Sequence, residues 1–210
     1  NLGEFCELFG AAKSTLSEDI DLVGAALRHF DLGRLETVAG AAGGVRFRPL
    51  VSRERANAVL SALAARLELL PEAKDFKRHE ARLNGETYEY YEGVDKAGQT
   101  TGFVFTTSAN GYGGKIKVMT GVSSDGVIQK ISILDISETP GLGMNILKEE
   151  NIGKFAGKSG TLTVVKNKSN PAGNEITAMT GATVTTNAVT TAVNTALDLY
   201  NSVKGGNGNG

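Results

Sequence analysis

An alternating segment in the middle of the chain constrains the fold more than any other feature. In KIKVMTGVSSDGVIQKISILDIS, residues 115–137, Ile116 and Val118 alternate with lysines, and Ile131 and Ile133 alternate with polar residues after a Ser-Asp-Gly turn. A period of two residues places one set of side chains on each face of a strand. Two such runs joined by a short turn predict an antiparallel β-hairpin with one buried face.

The rest of the second half supports an α+β fold. The segments ETYEYYEGV (86–94), TTGFVFTTS (100–108) and TLTVV (161–165) are rich in β-branched and aromatic residues and predict further strands. A short helix is expected near residues 145–150, and a final helix from about Val184 to Val203. Apolar residues at helical spacing predict that this final helix packs on the sheet: Val189, Ala192, Val193, Ala196, Leu199, Tyr200 and Val203. We therefore expect a twisted, mainly antiparallel sheet with packed helices.

The first part of the chain differs in composition from the second. All nine arginines lie between Arg28 and Arg82, and only lysines follow. Two helices are predicted, over residues 17–30 and 52–70, within a region (1–39) read as mostly helical and followed by a flexible GAAGG joint at 40–44.

The compositional change predicts a boundary between residues 70 and 85. It is either a domain boundary or a join between pieces of different origin. We assign residues 1–70 to a helical N-terminal extension of unknown role, 71–204 to the main domain and 205–210 to a flexible tail, because GGNGNG has no apolar residue to bury.

Charge and composition exclude several classes of function. The net charge of −1 argues against a nucleic-acid partner held by a basic surface. The sequence contains no run of about 18 apolar residues, so no membrane span is predicted. The first residues do not resemble a secretory signal. Cys6 is the single cysteine, and His29 and His79 lie far apart, so we predict no metal site.

The segment EITAMTGATVTTNAVTTAV, residues 175–193, places five threonines around the predicted start of the last helix. A helix N-terminus exposes unpaired N–H groups and attracts phosphate. Gly181 and Ala182 leave room for a bulky group, and Thr183 presents a hydroxyl that could donate to a phosphate or be esterified by it. The alternative is that Thr180 or Thr183 caps the helix. Thr185 and Thr186 are interpreted as ordinary hydroxyls of the first turn.

Three motifs in order resemble one known family. TGAT followed by VTTNAV is similar to the flavin-attachment motif Asp-x-x-Ser/Thr-Gly-Ala-Thr of the FMN-binding domain found in the Rnf complex G subunit and the Na⁺-translocating NADH:quinone reductase C subunit. SETPGLG at 137–143 resembles the family's ETPGLG loop, and GYGGKI at 111–116 resembles its GYGG segment. LPEAKDF at 70–76 is similar to the start of the soluble part of the G subunit, which would begin the family region near Pro71.

The resemblance implies a cofactor and its attachment point. The last threonine of the family motif carries FMN through a phosphoester bond, and that residue is Thr183 here. Glu138 would either contact the flavin or hold its loop, and Tyr112 would stack on the ring or pack beside the hairpin. The resemblance also implies contacts to the cofactor from a set of residues in the two loops: Thr180, Gly181, Ala182, Glu138, Thr139, Gly141, Leu142 and Gly143.

The resemblance further implies an electron-transfer subunit in a membrane-bound redox chain rather than a complete catalyst. Its expected partners are other subunits of a membrane redox complex and the flavin transferase that moves FMN from FAD onto the threonine. Its expected location is the extracytoplasmic face of the membrane. The chain departs from the motif at Thr177, where the family has aspartate. A non-covalent FMN-binding module and a non-redox interaction domain remain as alternatives.

Overall fold

The chain divides into two compact units, Asn1–Leu63 and Ala64–Gly210. The computed structural model describes residues 68–205 without a break and, before them, residues 20–21, 23–24, 33–38, 44–50, 52 and 66. The described elements of the first unit are few. Those of the second unit form a sheet with helices, so the predicted α+β class is confirmed.

The first unit contains an antiparallel hairpin. Strand β1 is Gly33–Val38 and strand β2 is Gly44–Pro49, with Arg34 opposite Arg48 and Glu36 opposite Arg46. The Glu36 carboxylate accepts from Arg48 Nε at 2.5 Å, which lowers the pKa of Glu36. This exposed ion pair lies across the two strands.

The prediction that residues 1–39 are mostly helical is wrong for β1. In GRLETV and GVRFRP charged residues alternate with other residues, a strand pattern that the surrounding alanines obscured. Residues 20–21 and 23–24 are helical, as are 66, 68 and 69. The remainder of the two predicted N-terminal helices lies outside the described residues.

The second unit is built on a five-stranded antiparallel sheet whose strands are adjacent in chain order. Its strands are β3 (Asp75–Leu83), β4 (Glu86–Val94), β5 (Thr100–Asn110), β6 (Lys115–Ser123) and β7 (Ile128–Asp135). The predicted 115–137 hairpin is confirmed as β6 and β7, with Val118 opposite Ile133 and Thr120 opposite Ile131. Strand β3 was not predicted, because its mostly exposed, charged sequence hides the alternation.

Short helical segments and a pair of short strands follow the sheet. Helix α1 (Glu149–Ile152) lies between 3₁₀ turns at Gly143–Leu147 and Gly153–Phe155, close to the helix predicted near 145–150. Strands β8 (Thr163–Val165) and β9 (Glu175–Thr177) pair in parallel. The strand predicted at 161–165 is therefore confirmed for its last three residues.

Helix α2 (Thr183–Lys204) packs on one face of the sheet. The apolar face predicted for this helix is buried, except that Val203 is only partly buried. Its partners in the core include fully buried side chains of β5 and β6, such as Phe105, Ile116 and Val118. Burial of this continuous apolar surface fixes the helix on the sheet, and with it the position of its N-terminus.

Thr120 on β6 offers a direct test of the core. It is fully buried, and its Oγ1 has no hydrogen-bond partner among the residues that the structure describes. Because an unpaired buried hydroxyl costs about 1–3 kcal/mol, we expect Thr120→Val to raise the free energy of unfolding by about 1 kcal/mol.

The matched control for Thr120 is Thr107 on β5. Thr107 is also buried, but its hydroxyl donates to the Ala192 carbonyl at 2.7 Å. Thr107→Val should lower the free energy of unfolding by about 1 kcal/mol or more, because it leaves that bond unmade. Urea unfolding of the two variants measures both effects, and equal changes in the two would contradict the assignment.

One end of the sheet collects the segments predicted to form the site. The turn between β5 and β6, the segment that follows β7 and the start of α2 all lie there. In the part of the chain that the structure describes, none of the helices has both the length and the apolar character to span a bilayer.

Candidate functional site

A cleft of about 630 Å³ opens at this end of the sheet. It lies between the 111–114 turn, the loop after β7 and the first turn of α2. Ten residues line it: Tyr112, Glu138, Thr139, Leu142, Gly143, Gly181, Ala182, Thr183, Val184 and Thr185. Its volume is within the range of small-molecule and cofactor sites. The structure therefore brings all three sequence motifs to one cavity.

Helix α2 begins without a side-chain cap. Ala182 occupies the cap position and provides no hydrogen-bonding side chain. Gly181, immediately before it, has φ +73°, a conformation that side chains disfavour, and this turns the chain into the helix. The alternative in which Thr180 or Thr183 caps the helix is therefore wrong. Its first N–H groups remain available to a ligand.

Thr183 is the first residue of α2 and lines the cleft. It is half-buried, and among the described residues its hydroxyl has no hydrogen-bond partner. A hydroxyl that is held on a helix, faces a cavity and makes no internal bond is free to bond to a ligand.

Thr185 and Thr186, the next two threonines, both form hydrogen bonds inside the fold. The Thr185 hydroxyl donates to Glu138 Oε2 at 2.6 Å. The Thr186 hydroxyl accepts from Met179 N–H and donates to the Ala182 carbonyl, both at 3.1 Å. Both side chains are buried. The interpretation of Thr185 and Thr186 as ordinary first-turn hydroxyls is wrong, because one ties the helix to the loop and the other closes the preceding turn.

Glu138 is the junction of the three motifs. It is 8% exposed, and its Oε1 accepts from Gly113 N–H at 2.9 Å while its Oε2 accepts from Thr185. A Cβ on Gly111 or Gly143 would lie within 3.0 Å of one of its oxygens. The first glycine of the GYGG segment and the last glycine of the GLG segment are therefore required by the close approach of this carboxylate. Both carboxylate oxygens bond to protein groups, which supports the loop-holding role.

The loop after Glu138 is held by hydrogen bonds of its own backbone and side chains. Leu142 N–H donates to the Thr139 carbonyl at 3.2 Å, and Asn145 Nδ2 donates to the Gly141 carbonyl at 2.6 Å. Gly141 has φ +74° and does not line the cleft. This glycine shapes the loop from outside the cavity.

Thr180 also lies outside the main cleft. It lines a neighbouring polar cleft of about 430 Å³, together with Asn145, Lys148 and Lys154 among other residues. Of the residues predicted to contact a cofactor, Thr180 and Gly141 are thus the two that the structure does not place in the main cavity.

Thr177, at the motif position where aspartate was expected, is the last residue of β9. Its hydroxyl donates to the Lys168 carbonyl at 3.0 Å, and it lines neither cleft. Glu175, on the same strand, accepts from Lys168 Nζ at 2.6 Å, which lowers the pKa of Glu175. The two residues hold the 166–174 loop against β9.

Apolar side chains form the rim of the cleft. Tyr112 is 77% exposed, Val184 is 51% exposed and Leu142 is 46% exposed. Large apolar side chains with this much exposure around one cavity are typical of a ligand or interaction surface. Tyr112 does not pack into the hairpin, so it remains free to contact a ligand at the cleft mouth.

Comparison with known proteins identifies the second half of the chain. The FMN-binding domain family matches residues 111–198. The G subunit of the Na⁺-translocating ferredoxin:NAD⁺ oxidoreductase complex of Acetobacterium woodii is 38% identical over 154 residues, covering 66% of this chain and 73% of that protein. The chain belongs to the family of G subunits of ion-translocating oxidoreductase complexes.

Further relatives agree with the assignment. The G subunit of the Clostridium ljungdahlii proton-translocating ferredoxin:NAD⁺ oxidoreductase complex is 40% identical over 126 residues, covering 60% of this chain and 66% of that protein. The crystal structure of Shewanella oneidensis NqrC superposes with a TM-score of 0.50 at 17% identity, covering 67% of this chain and 70% of that one. At this identity the superposition supports the fold alone.

The first residues resemble a different family. The family described as bacterial purine repressor, N-terminal, matches residues 1–49. A probable purine biosynthesis transcriptional regulator of Streptococcus pneumoniae is 37% identical over 67 residues, covering 32% of this chain and 24% of that protein. The two ends of this chain are therefore similar to two unrelated groups of proteins, in line with its compositional change.

Proposed function

We propose that the second unit is an electron-transfer subunit that holds FMN in the 630 Å³ cleft. The observation that carries the proposal is the uncapped start of α2, with the unbonded Thr183 hydroxyl beside it in the cavity. Membership of the FMN-binding family supports the identity of the ligand. When bound, FMN would accept and release electrons, which no side chain lining the cleft can do.

The residues of the cleft fit this cofactor. The free N–H groups and partial positive charge at the start of α2 favour a phosphate. Gly181 has no side chain to obstruct the approach, and Ala182 contributes only a methyl group. Leu142 and Val184 provide apolar surface suited to a flat ring, and Tyr112 is placed to cover it.

We further propose that Thr183 carries the FMN covalently. In that step Thr183 Oγ1 forms a bond to the FMN phosphorus of FAD, the diphosphate bond breaks, AMP leaves and the hydroxyl proton is released. A flavin transferase would supply both the FAD and the catalysis. The product phosphodiester keeps one negative charge, which the N-terminus of α2 stabilises. Covalent attachment prevents loss of an exposed carrier by dissociation.

The proposed setting follows from the relatives, whose names describe subunits of ion-translocating complexes. We propose that this domain exchanges electrons with other subunits of such a complex, at the extracytoplasmic face of a membrane. As a carrier it would complete no reaction alone. The domain would span residues 71–204, with the tail at 205–210; of the tail, only Gly205 lies among the described residues.

Residues 1–70 carry one observation that favours a nucleic-acid partner and one that opposes it. Their similarity to a repressor's N-terminal segment is the one observation that favours nucleic-acid contact. Against it, these 70 residues contain nine acidic and eight basic side chains, so they have no excess of positive charge to attract a nucleic acid. The prediction of no nucleic-acid partner stays a prediction.

The experiment that tests the proposed function is coexpression of the whole chain with a flavin transferase, followed by intact mass measurement. We expect the mass of one covalent FMN, and flavin fluorescence that survives acid precipitation. Flavin released by acid would favour a non-covalent FMN module. A protein that retains no flavin under either condition would favour a non-redox interaction domain, because the cleft would then have no cofactor.

A further inference from the structure

Glu138 is a buried carboxylate without a counter-ion. It is 8% exposed, and it forms no ion pair with any residue that the structure describes. Buried charges are usually paired, because transfer out of water is costly. Here the Gly113 N–H and the Thr185 hydroxyl both donate to the carboxylate oxygens. The fold therefore holds this carboxylate on the wall of the cleft, without a cationic partner among the described residues.

The position of this charge is tightly constrained. Gly111 and Gly143 enclose the carboxylate so closely that either one's Cβ would lie within 3.0 Å of its oxygens. Thr185 belongs to the first turn of α2, and Gly113 belongs to the turn between β5 and β6. The two hydrogen bonds and the close approach of the glycines therefore hold the carboxylate beside the cavity.

We propose that Glu138 lowers the reduction potential of the flavin held in the cleft. This inference rests on the proposed function. Reduction brings electrons into the cavity, and a fixed negative charge on its wall opposes that gain. Because the carboxylate is shielded from water, solvent screens its field less than that of a surface charge. Glu138 thus favours the oxidised flavin and makes the reduced one a stronger donor.

A purely structural role makes a different prediction. If Glu138 only ties the β5–β6 turn to α2, removal of either hydrogen bond should disturb the site in the same way. Glu138→Gln separates the two roles, because its amide oxygen can accept from Gly113 N–H while its NH₂ donates to Thr185 Oγ1. This variant removes the charge and keeps both bonds. Thr185→Val keeps the charge and removes one bond.

The test is a spectroelectrochemical titration of the bound flavin in the whole chain, after coexpression with the flavin transferase. At a fixed applied potential we expect Glu138→Gln to raise the ratio of reduced to oxidised flavin about tenfold, roughly 30 mV for a two-electron couple. Thr185→Val should change the ratio less than about threefold. Thermal unfolding of both variants controls for loss of the fold.

Thr139 provides a second variant that leaves the buried bonds intact. It is exposed and lines the same cleft, and its side chain makes no hydrogen bond within the described residues. Thr139→Lys adds a positive charge to the same cleft. A positive charge favours the gain of electrons, so we expect this variant also to raise the reduction potential of the flavin.

The outcomes are distinct. An unchanged potential in both Glu138→Gln and Thr139→Lys, with flavin bound, overturns this inference and leaves the proposed function standing. An upward shift in Thr185→Val at least as large as that in Glu138→Gln also overturns it, because loss of one hydrogen bond, with the carboxylate retained, would then produce the effect assigned to the charge. Absence of flavin from the parent chain overturns both proposals; intact mass shows that no covalent flavin is present, and the visible absorbance of the native protein shows that no non-covalent flavin is bound.

Discussion

Thr183→Ala is expected to abolish covalent flavin in protein coexpressed with a flavin transferase. The methyl group that remains has no oxygen to bond to phosphorus, and no other hydroxyl begins α2. We expect the fluorescent band on a denaturing gel to disappear and the intact mass to match the unmodified chain. The fold should be unaffected, because the Thr183 hydroxyl makes no hydrogen bond in the described part of the chain.

Two controls make this result specific. Thr183→Ser keeps the hydroxyl and should retain the covalent flavin. Thr180→Ala removes a hydroxyl that faces the neighbouring 430 Å³ cleft and should leave Thr183 able to carry flavin. Fluorescence that persists through denaturation in Thr183→Ala would show that a different residue carries the cofactor and would sink the attachment proposal.

Gly113→Ala is expected to produce the largest loss of stability among substitutions in the GYGG turn. A Cβ at Gly113 would lie within 3.0 Å of the Ser137 carbonyl oxygen, which is backbone and cannot turn away. The Gly113 N–H also holds Glu138, so any shift of the turn weakens that bond. We expect the free energy of unfolding to fall by roughly 2–3 kcal/mol, with less flavin loaded.

Gly114 is the matched control, one residue along the same turn. Its Cβ would lie 3.7 Å from the Ser137 side chain, an ordinary van der Waals distance. Neither glycine has a positive φ, so the backbone conformation does not favour one over the other. Urea unfolding should show a loss below about 1 kcal/mol for Gly114→Ala. Equal losses in the two variants would contradict the close contact with Ser137.

Strands β1 and β3 were not predicted from the sequence, although each contains a local signal. At the end of β3, Asn84-Gly85 forms the turn to β4, with φ of 52° and 85°. This dipeptide is the strongest local signal for a tight hairpin, and it would have identified β3 despite the charged sequence. The signal for β1 was its alternation of charges, which the helix-forming alanines around it masked.

The candidate site was predicted only in part for a different reason. The motifs identified Thr183 and both loops, but no pattern in the sequence links Glu138 to Thr185, which is 47 residues away. A hydrogen bond between distant residues depends on how the sheet brings its loops together. The spacing of residues along the chain therefore does not predict such a contact. Helical and strand periodicity can be read from the sequence, because it depends only on neighbouring residues.

By itself, the sequence determined strands β4 to β7, the final helix with its apolar face, and the position of Thr183 at the start of that helix. Each of these is encoded in neighbouring residues, through periodicity or motif. Only the tertiary structure decided that this helix start has no side-chain cap and that Thr185 and Thr186 are buried and hydrogen-bonded to other segments. It also decided that Glu138 lies on the cleft wall without an ion pair among the described residues. These depend on burial and on contacts between segments far apart in the chain, which packing on the sheet alone establishes.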